Sequence, residues 1–140
     1  MKQTKTAQVV TEYMELGLAD FEDAATSIES DLVFDPSDPY AMTLVFRTSA
    51  QDVRWTFARE LLVSGRFEPT GDGDVHVWPC LSSDLRAVVI IELCSAGGEL
   101  RVRADSRSVD TFIAKMLTSV PEGQESAFVN FDDELTQLLA

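Results

Sequence analysis

Alternation of apolar and polar positions dominates the chain and predicts strands. Along 10–19, Val10, Met14, Leu16 and Leu18 share one face and Tyr13 and Glu15 the other, the period of two of a half-buried strand. After a turn expected in the acidic stretch Asp20–Asp23, Ile28, Leu32 and Phe34 alternate with Glu29 and Asp31. Asp35–Pro39 has turn chemistry, because proline fixes φ and aspartate satisfies local backbone donors. Met42, Leu44 and Phe46, then Val53, Trp55 and Phe57, form two further runs joined by the polar link Thr48–Asp52, a hairpin pattern. A fifth strand is expected over Val75–Trp78 and a sixth over Leu85–Cys94. The sixth differs from the rest. Leu85, Ala87, Val89, Ile91 and Leu93 line one face, yet Val88 and Ile90 make the opposite face apolar at its centre. Such a strand needs cover on both sides, from a helix, a second sheet or a neighbouring subunit. After a turn at Gly97-Gly98, Leu100, Val102 and Ala104 alternate with Arg101 and Arg103.

Helical periodicity is confined to three places. Ala58–Ser64 reads as a short helix, with Gly65 as a C-terminal cap. Val109, Phe112, Ile113, Met116, Leu117 and Val120 form one broad apolar stripe, as an amphipathic helix requires; Asp105 or Ser106 caps its start and Pro121 stops it. A short closing helix is expected from Asp132, with Phe131, Leu135, Leu138 and Leu139 on one face. Strands do not alternate with helices as in a parallel doubly wound sheet. The expected class is α+β, antiparallel, with the helices on one side, in a single domain spanning 1–140 and a flexible polar tail at 1–8.

Length and charge narrow the function classes. A chain of 140 residues buries roughly 68–70% of its unfolded surface, enough for a core without a structural metal or disulfide. The net charge of −13, with only 11 basic residues and the eight arginines scattered, opposes binding to phosphate backbones and to anionic membrane surfaces. Nucleic acid is therefore not the expected partner, and a protein is. The longest aliphatic run, Ala87–Ile91, is too short to span a bilayer, so no direct membrane insertion is expected. In a 75–80/85–94 hairpin, Cys80 would face about residue 87, too far from Cys94 for a disulfide; two reduced thiols suit the cytoplasm.

Candidate chemistry is sparse. His76 is the sole histidine and reads as a half-exposed strand residue without a nucleophile at a recognisable motif. The Gly71-Asp72-Gly73-Asp74 stretch reads as a turn rather than a calcium loop, which needs more oxygen ligands, and it lacks the Lys-Ser/Thr of a phosphate cradle. Cys80 and Cys94 have no activating neighbour in sequence. Asp132-Asp133-Glu134 reads as helix capping rather than a carboxylate pair. Trp55 belongs with the core. Trp78, beside Pro79 and on the face opposite Val77, is the candidate partner-binding anchor; Val88 and Ile90 are the candidate subunit-interface residues. No catalytic, metal or cofactor-binding residue is assigned, and an enzyme is not expected.

The blocks Val53–Leu62 (VRWTFARELL) and Pro69–Pro79 (PTGDGDVHVWP), Asp38-Pro39-Tyr40, Pro121 with Gly123, and the C-terminal Asp133-Glu134-Leu135-Thr136 with Leu138-Leu139 resemble, in order, the hallmark blocks of the SsgA-like proteins, actinobacterial regulators of sporulation-linked cell division. The resemblance spans roughly residues 35–140. It implies a whirly-like fold of two antiparallel sheets, assembled as a homotrimer, with an extra short strand at Ala127–Val129. It further implies a non-enzymatic adaptor at the cytoplasmic side of the division septum that recruits the tubulin-like protein FtsZ, with another SsgA-like protein as a second partner. Because whirly-like folds also serve single-stranded nucleic-acid binders, that activity is the alternative; it requires several arginines to converge with Trp78 on one groove.

Overall fold

The computed structural model describes residues 7–19, 26–129 and 138. Eight strands form one antiparallel sheet: β1 (Val10–Leu18), β2 (Ile28–Phe34), β3 (Ala41–Arg47), β4 (Asp52–Ala58), β5 (Thr70–Asp72), β6 (Val75–Leu81), β7 (Ala87–Ser95) and β8 (Gly98–Asp105). Their order is β4-β3-β2-β1-β8-β7-β6-β5. The sequence reading expected two sheets. Instead, two four-stranded meanders are joined where Gly17 pairs with Arg103 and Leu18 with Val102. These two pairs suffice to make the strand order continuous, and Ala19 N–H extends the seam by donating to the Arg101 carbonyl at 2.9 Å.

Apart from Val88 and Ile90 at the centre of β7, the main alternating apolar set points to one side. Leu16, Leu32, Phe34, Leu44, Val77, Ile91 and Val102 are fully buried in a single core. Two helices fill that side, α1 (Arg59–Gly65) and α2 (Ser106–Ser119). Helix α2 lies over β1, β8 and β7, and so covers the seam, while α1 touches β3 and β4 at one end of the sheet and β5 and β6 at the other. A seven-residue helix reaches both ends only because the sheet twists and curls around it. Val109, Phe112, Ile113 and Met116 of α2 are buried, as the helical stripe predicted. The Asp105 carboxylate accepts the Ser108 N–H at 3.2 Å, satisfying one of the free donors of the first turn. Asp105→Ala is expected to cost about 1 kcal/mol, read as a lowered urea midpoint with unchanged slope. The helix ends where Val120 turns extended, the conformation forced on a residue before proline.

Four local expectations change. Gly65 is not a left-handed cap; it is the buried last residue of α1. A Cβ there would stand 2.5 Å from Val77 Cβ and 3.1 Å from the Val77 carbonyl oxygen, so glycine is needed because α1 lies directly on β6. Strand β5 was read as part of the turn, yet Thr70–Asp72 pairs with Val75–Val77. The turn between them places Gly73 at φ +61°, where glycine carries no steric cost. Leu85 is not in β7: it sits in the preceding turn at φ 63° and is 78% exposed. Residues 127–129 form no strand, because Glu125–Phe128 is a 3-10 turn. At the ends, Gln8, expected within a flexible tail, accepts a hydrogen bond from Ser119 Oγ at 2.9 Å, whereas the expected helix from Asp132 lies outside the described residues.

Candidate functional site

The side chains singled out from the sequence converge on the solvent-facing surface of β6, β7 and β8. Period-two alternation sends His76, Trp78 and Cys80 outward from β6, opposite inward Val75 and Val77. Register then builds three rows across the strands. His76 faces Glu92, which faces Arg101; Trp78 faces Ile90, which faces Arg103; Cys80 faces Val88, which faces Asp105.

The first row is charged. Arg101 Nε donates to Glu92 Oε2 at 2.6 Å and Arg101 Nη2 to Glu99 Oε2 at 3.2 Å. That bond from Arg101 holds the Glu92 carboxyl below its usual range. His76 Nδ1 lies 3.5 Å from Glu92 Oε1; this nitrogen is buried and makes no hydrogen bond. Cys94, two residues along β7, donates its thiol to Glu92 Oε1 at 3.8 Å. Burial, and then the charges of Glu92 and Glu99, push the Cys94 thiol up.

The second and third rows hold the predicted contact residues. Trp78 is half-buried and borders a recess of about 330 Å³ with Thr70, Gly71, His76, Val77 and Glu92. Ile90 and Val88 are 6% and 7% exposed in the single chain. Ile90 lies between Trp78 and Arg103 in register, residues long enough to shield it with their apolar bodies. The chain itself thus supplies the second cover that β7 needs. Residues assigned from the sequence to two separate roles, Trp78 and Ile90, sit side by side in one patch. A second cleft, of about 450 Å³, runs from this face toward β1 and is lined by Glu15, Ser82, Asp84, Arg86, Arg103 and Asp105 among others.

The two cysteines on this face do not meet, and the remaining candidates lie elsewhere. Cys80 and Cys94 are free thiols, with Cys80 opposite Val88 rather than residue 87. Trp55 packs against the core, as expected. Asp132, Asp133 and Glu134 lie outside the described residues. No arginine lines the recess at Trp78. Arg47 pairs with Asp31, Arg59 with Glu125, Arg66 with Asp110, Arg86 with Asp84 and Arg101 with Glu92. Among the described residues these five arginines are thus each held by a carboxylate rather than gathered with Trp78 in one groove. Glu92 and Arg101 were not singled out in the sequence; the signal for both is cross-strand register, which places them in line with His76.

A curled antiparallel sheet over two helices, with its distinctive side chains on the open face, defines an acidic α+β protein. Residues 28–125 match the family model described as Streptomyces sporulation and cell division protein, SsgA, and the chain belongs to that family. It is 38% identical over 128 residues to the sporulation-specific cell division protein SsgB of Streptomyces coelicolor, covering 91% of this chain and 93% of that one. It is 39% identical over 116 residues to SsgB of Saccharopolyspora erythraea, covering 82% and 81%. A solved SsgB structure, from work linking SsgB mutations to longitudinal cell division during sporulation of S. coelicolor, superposes with a TM-score of 0.80 at 33% identity, covering 90% of this chain and 99% of that one. The SsgA-like sporulation-specific cell division protein of Thermobifida fusca gives a TM-score of 0.77 at 30% identity, covering 99% of each. No helix among the described residues is long and apolar enough to cross a membrane.

Proposed function

We propose that this protein is a non-enzymatic cell-division adaptor of the SsgB kind, which localises to sporulation septa and recruits FtsZ through protein–protein contacts. The observation that carries the reading is membership of the SsgA family over residues 28–125, with relatives named sporulation-specific cell division proteins. The exposed chemistry is compatible with it. The rows around Trp78 and Ile90 combine an aromatic anchor, apolar neighbours and a charged rim, the composition of a protein-binding patch. On the same reading the curled sheet is a whirly-like scaffold and the working form is a homotrimer, so that several weak sites act together. A second SsgA-like protein is a further partner.

The test is co-sedimentation with FtsZ from the same organism, with and without GTP. Enrichment in the polymer pellet is expected, together with a light-scattering mass about three times the 15.5 kDa chain mass. Trp78→Ala is expected to weaken the association by about 1–2 kcal/mol, the effect of trimming an interface aromatic, while circular dichroism stays unchanged. Normal FtsZ polymerisation with none of this protein in the pellet would sink the recruiting role.

A further inference from the structure

We propose that His76, Glu92 and Cys94 form a binding site for one divalent cation of the zinc class on the open face of the β6–β7 hairpin. One ligand atom from each lies within 4.8 Å of the others. At Zn–N, Zn–O and Zn–S lengths of about 2.0–2.3 Å, neighbouring ligands of a tetrahedral ion stand about 3.3–3.8 Å apart. His76 Nδ1 is 3.5 Å and Cys94 Sγ 3.8 Å from Glu92 Oε1, so two of the three edges already have tetrahedral length, and the third, between His76 and Cys94, lies within 4.8 Å.

The donors are held in place independently of any ion. The imidazole packs against Gly71, its register partner on β5; a Cβ at position 71 would collide with His76 Cδ2 and stand 3.0 Å from its Cγ and Nε2. Gly71 is therefore not a turn residue. Its missing side chain leaves room for the ring, whose Nδ1 lies toward Glu92 and is buried without a hydrogen-bond partner. Arg101 occupies Glu92 Oε2 and leaves Oε1 to face His76 and Cys94, the way a ligating carboxylate is oriented by an outer partner. One nitrogen, one carboxylate oxygen and one sulfur form a borderline-soft set that favours zinc over magnesium or calcium. Glu92 and the Cys94 thiolate, its proton released to solvent on coordination, neutralise the ion's two charges. Three protein ligands leave one tetrahedral position open, and two of the three, His76 and Glu92, also line the recess at Trp78. The sequence assigned no metal ligand because these donors come from two strands and meet only through register. The site stands whether or not FtsZ is the partner.

The experiment is titration of the untagged, reduced full-length chain with Co2+, reading the thiolate-to-cobalt charge-transfer band. One Co2+ per chain, displaced by Zn2+, is expected. His76→Gln and Cys94→Ser should each weaken the apparent affinity at least about tenfold, the lower bound seen even for outer partners of metal ligands, while Cys80→Ser leaves it unchanged. Absence of the band in the folded wild type overturns the site, as does a band that persists in Cys94→Ser or an affinity that His76→Gln does not alter. Circular dichroism of each variant separates loss of ligand from loss of fold.

Discussion

Arg59→Ala is expected to destabilise the fold by about 3–5 kcal/mol, the range for breaking a buried ion pair from one side. Arg59 is only 3% exposed. Its guanidinium donates to the Val120 carbonyl at 2.8 Å and to Glu125 Oε1 at 2.7 Å, and it lies 5.3 Å from the centre of the Phe34 ring. The reason is local to α2. Pro121 ends that helix and leaves its last carbonyls without intrahelical donors; Arg59, sent across from the first residue of α1, satisfies one of them. Alanine would leave the Val120 carbonyl without this donor and the Glu125 carboxylate without its counter-charge, held only by backbone donors such as Gly123 N–H at 3.2 Å. The hydrogen bond from Arg59 also holds the Glu125 carboxyl below its ordinary value of 4.5. A carboxylate with a depressed folded-state pKa stabilises the protein above its unfolded value and loses that contribution as pH falls through the folded one. Wild type should therefore show a falling urea midpoint on acidification below about pH 4.5 that is shallower in Arg59→Ala. In Arg59→Ala/Glu125→Gln part of the loss should be recovered, since no charge is left unpaired. Equal midpoints for Arg59→Ala and wild type at pH 7 would overturn this account.

Gly65→Ala is expected to destabilise by about 1–3 kcal/mol, the cost of overpacking a closed contact. The sign is what discriminates. In an exposed helix the same change stabilises by up to about 1 kcal/mol, and at a left-handed cap it would be penalised by backbone strain. Here φ is not positive, and the penalty is collision with Val77 Cβ and its carbonyl oxygen. Val77 is fully buried and paired on both sides, with Thr70 and Ile91, so it cannot move away. Thermal and urea unfolding check the value; a midpoint at or above wild type would show that α1 can lift off β6.

The class of fold was legible because period two and period 3.6 separate cleanly here. Val102 and Ala104 against Arg101 and Arg103, or Phe112 with Met116, announce their faces without tertiary information. Sheet continuity was not, since a seam of two residue pairs has no hydrophobic signature. Nor was β5, whose three residues include a glycine that favours a turn reading. The site turned on a single residue of register. Setting Cys80 against residue 87 would place His76 opposite Ile91, on the core side; the observed pairing with Val88 brings it to Glu92 instead. A one-residue slip exchanges the faces of a strand, so the companions of His76 could not be read from spacing. The two-sided apolar centre of β7 was read correctly as needing cover, but not that Trp78 and Arg103 lie beside it.

The narrow seam also shapes how the chain finds its structure. Within each meander neighbouring strands are joined by turns or short links, so those pairings close small loops. Only β1 with β8 demands a long excursion, as in the bond from Arg103 to the Leu18 carbonyl across 85 positions. Closing such a loop costs about 2 kcal/mol more than closing one of ten residues, and two residue pairs return little against it. Helix α2, which follows β8 directly and lands on β1 as well, supplies the missing incentive through Lys115 to Glu12 at 2.9 Å and the apolar stripe beneath. The order of events that follows is two locally formed ribbons, then their union by the helix, with the seam hydrogen bonds as a result of docking rather than its cause.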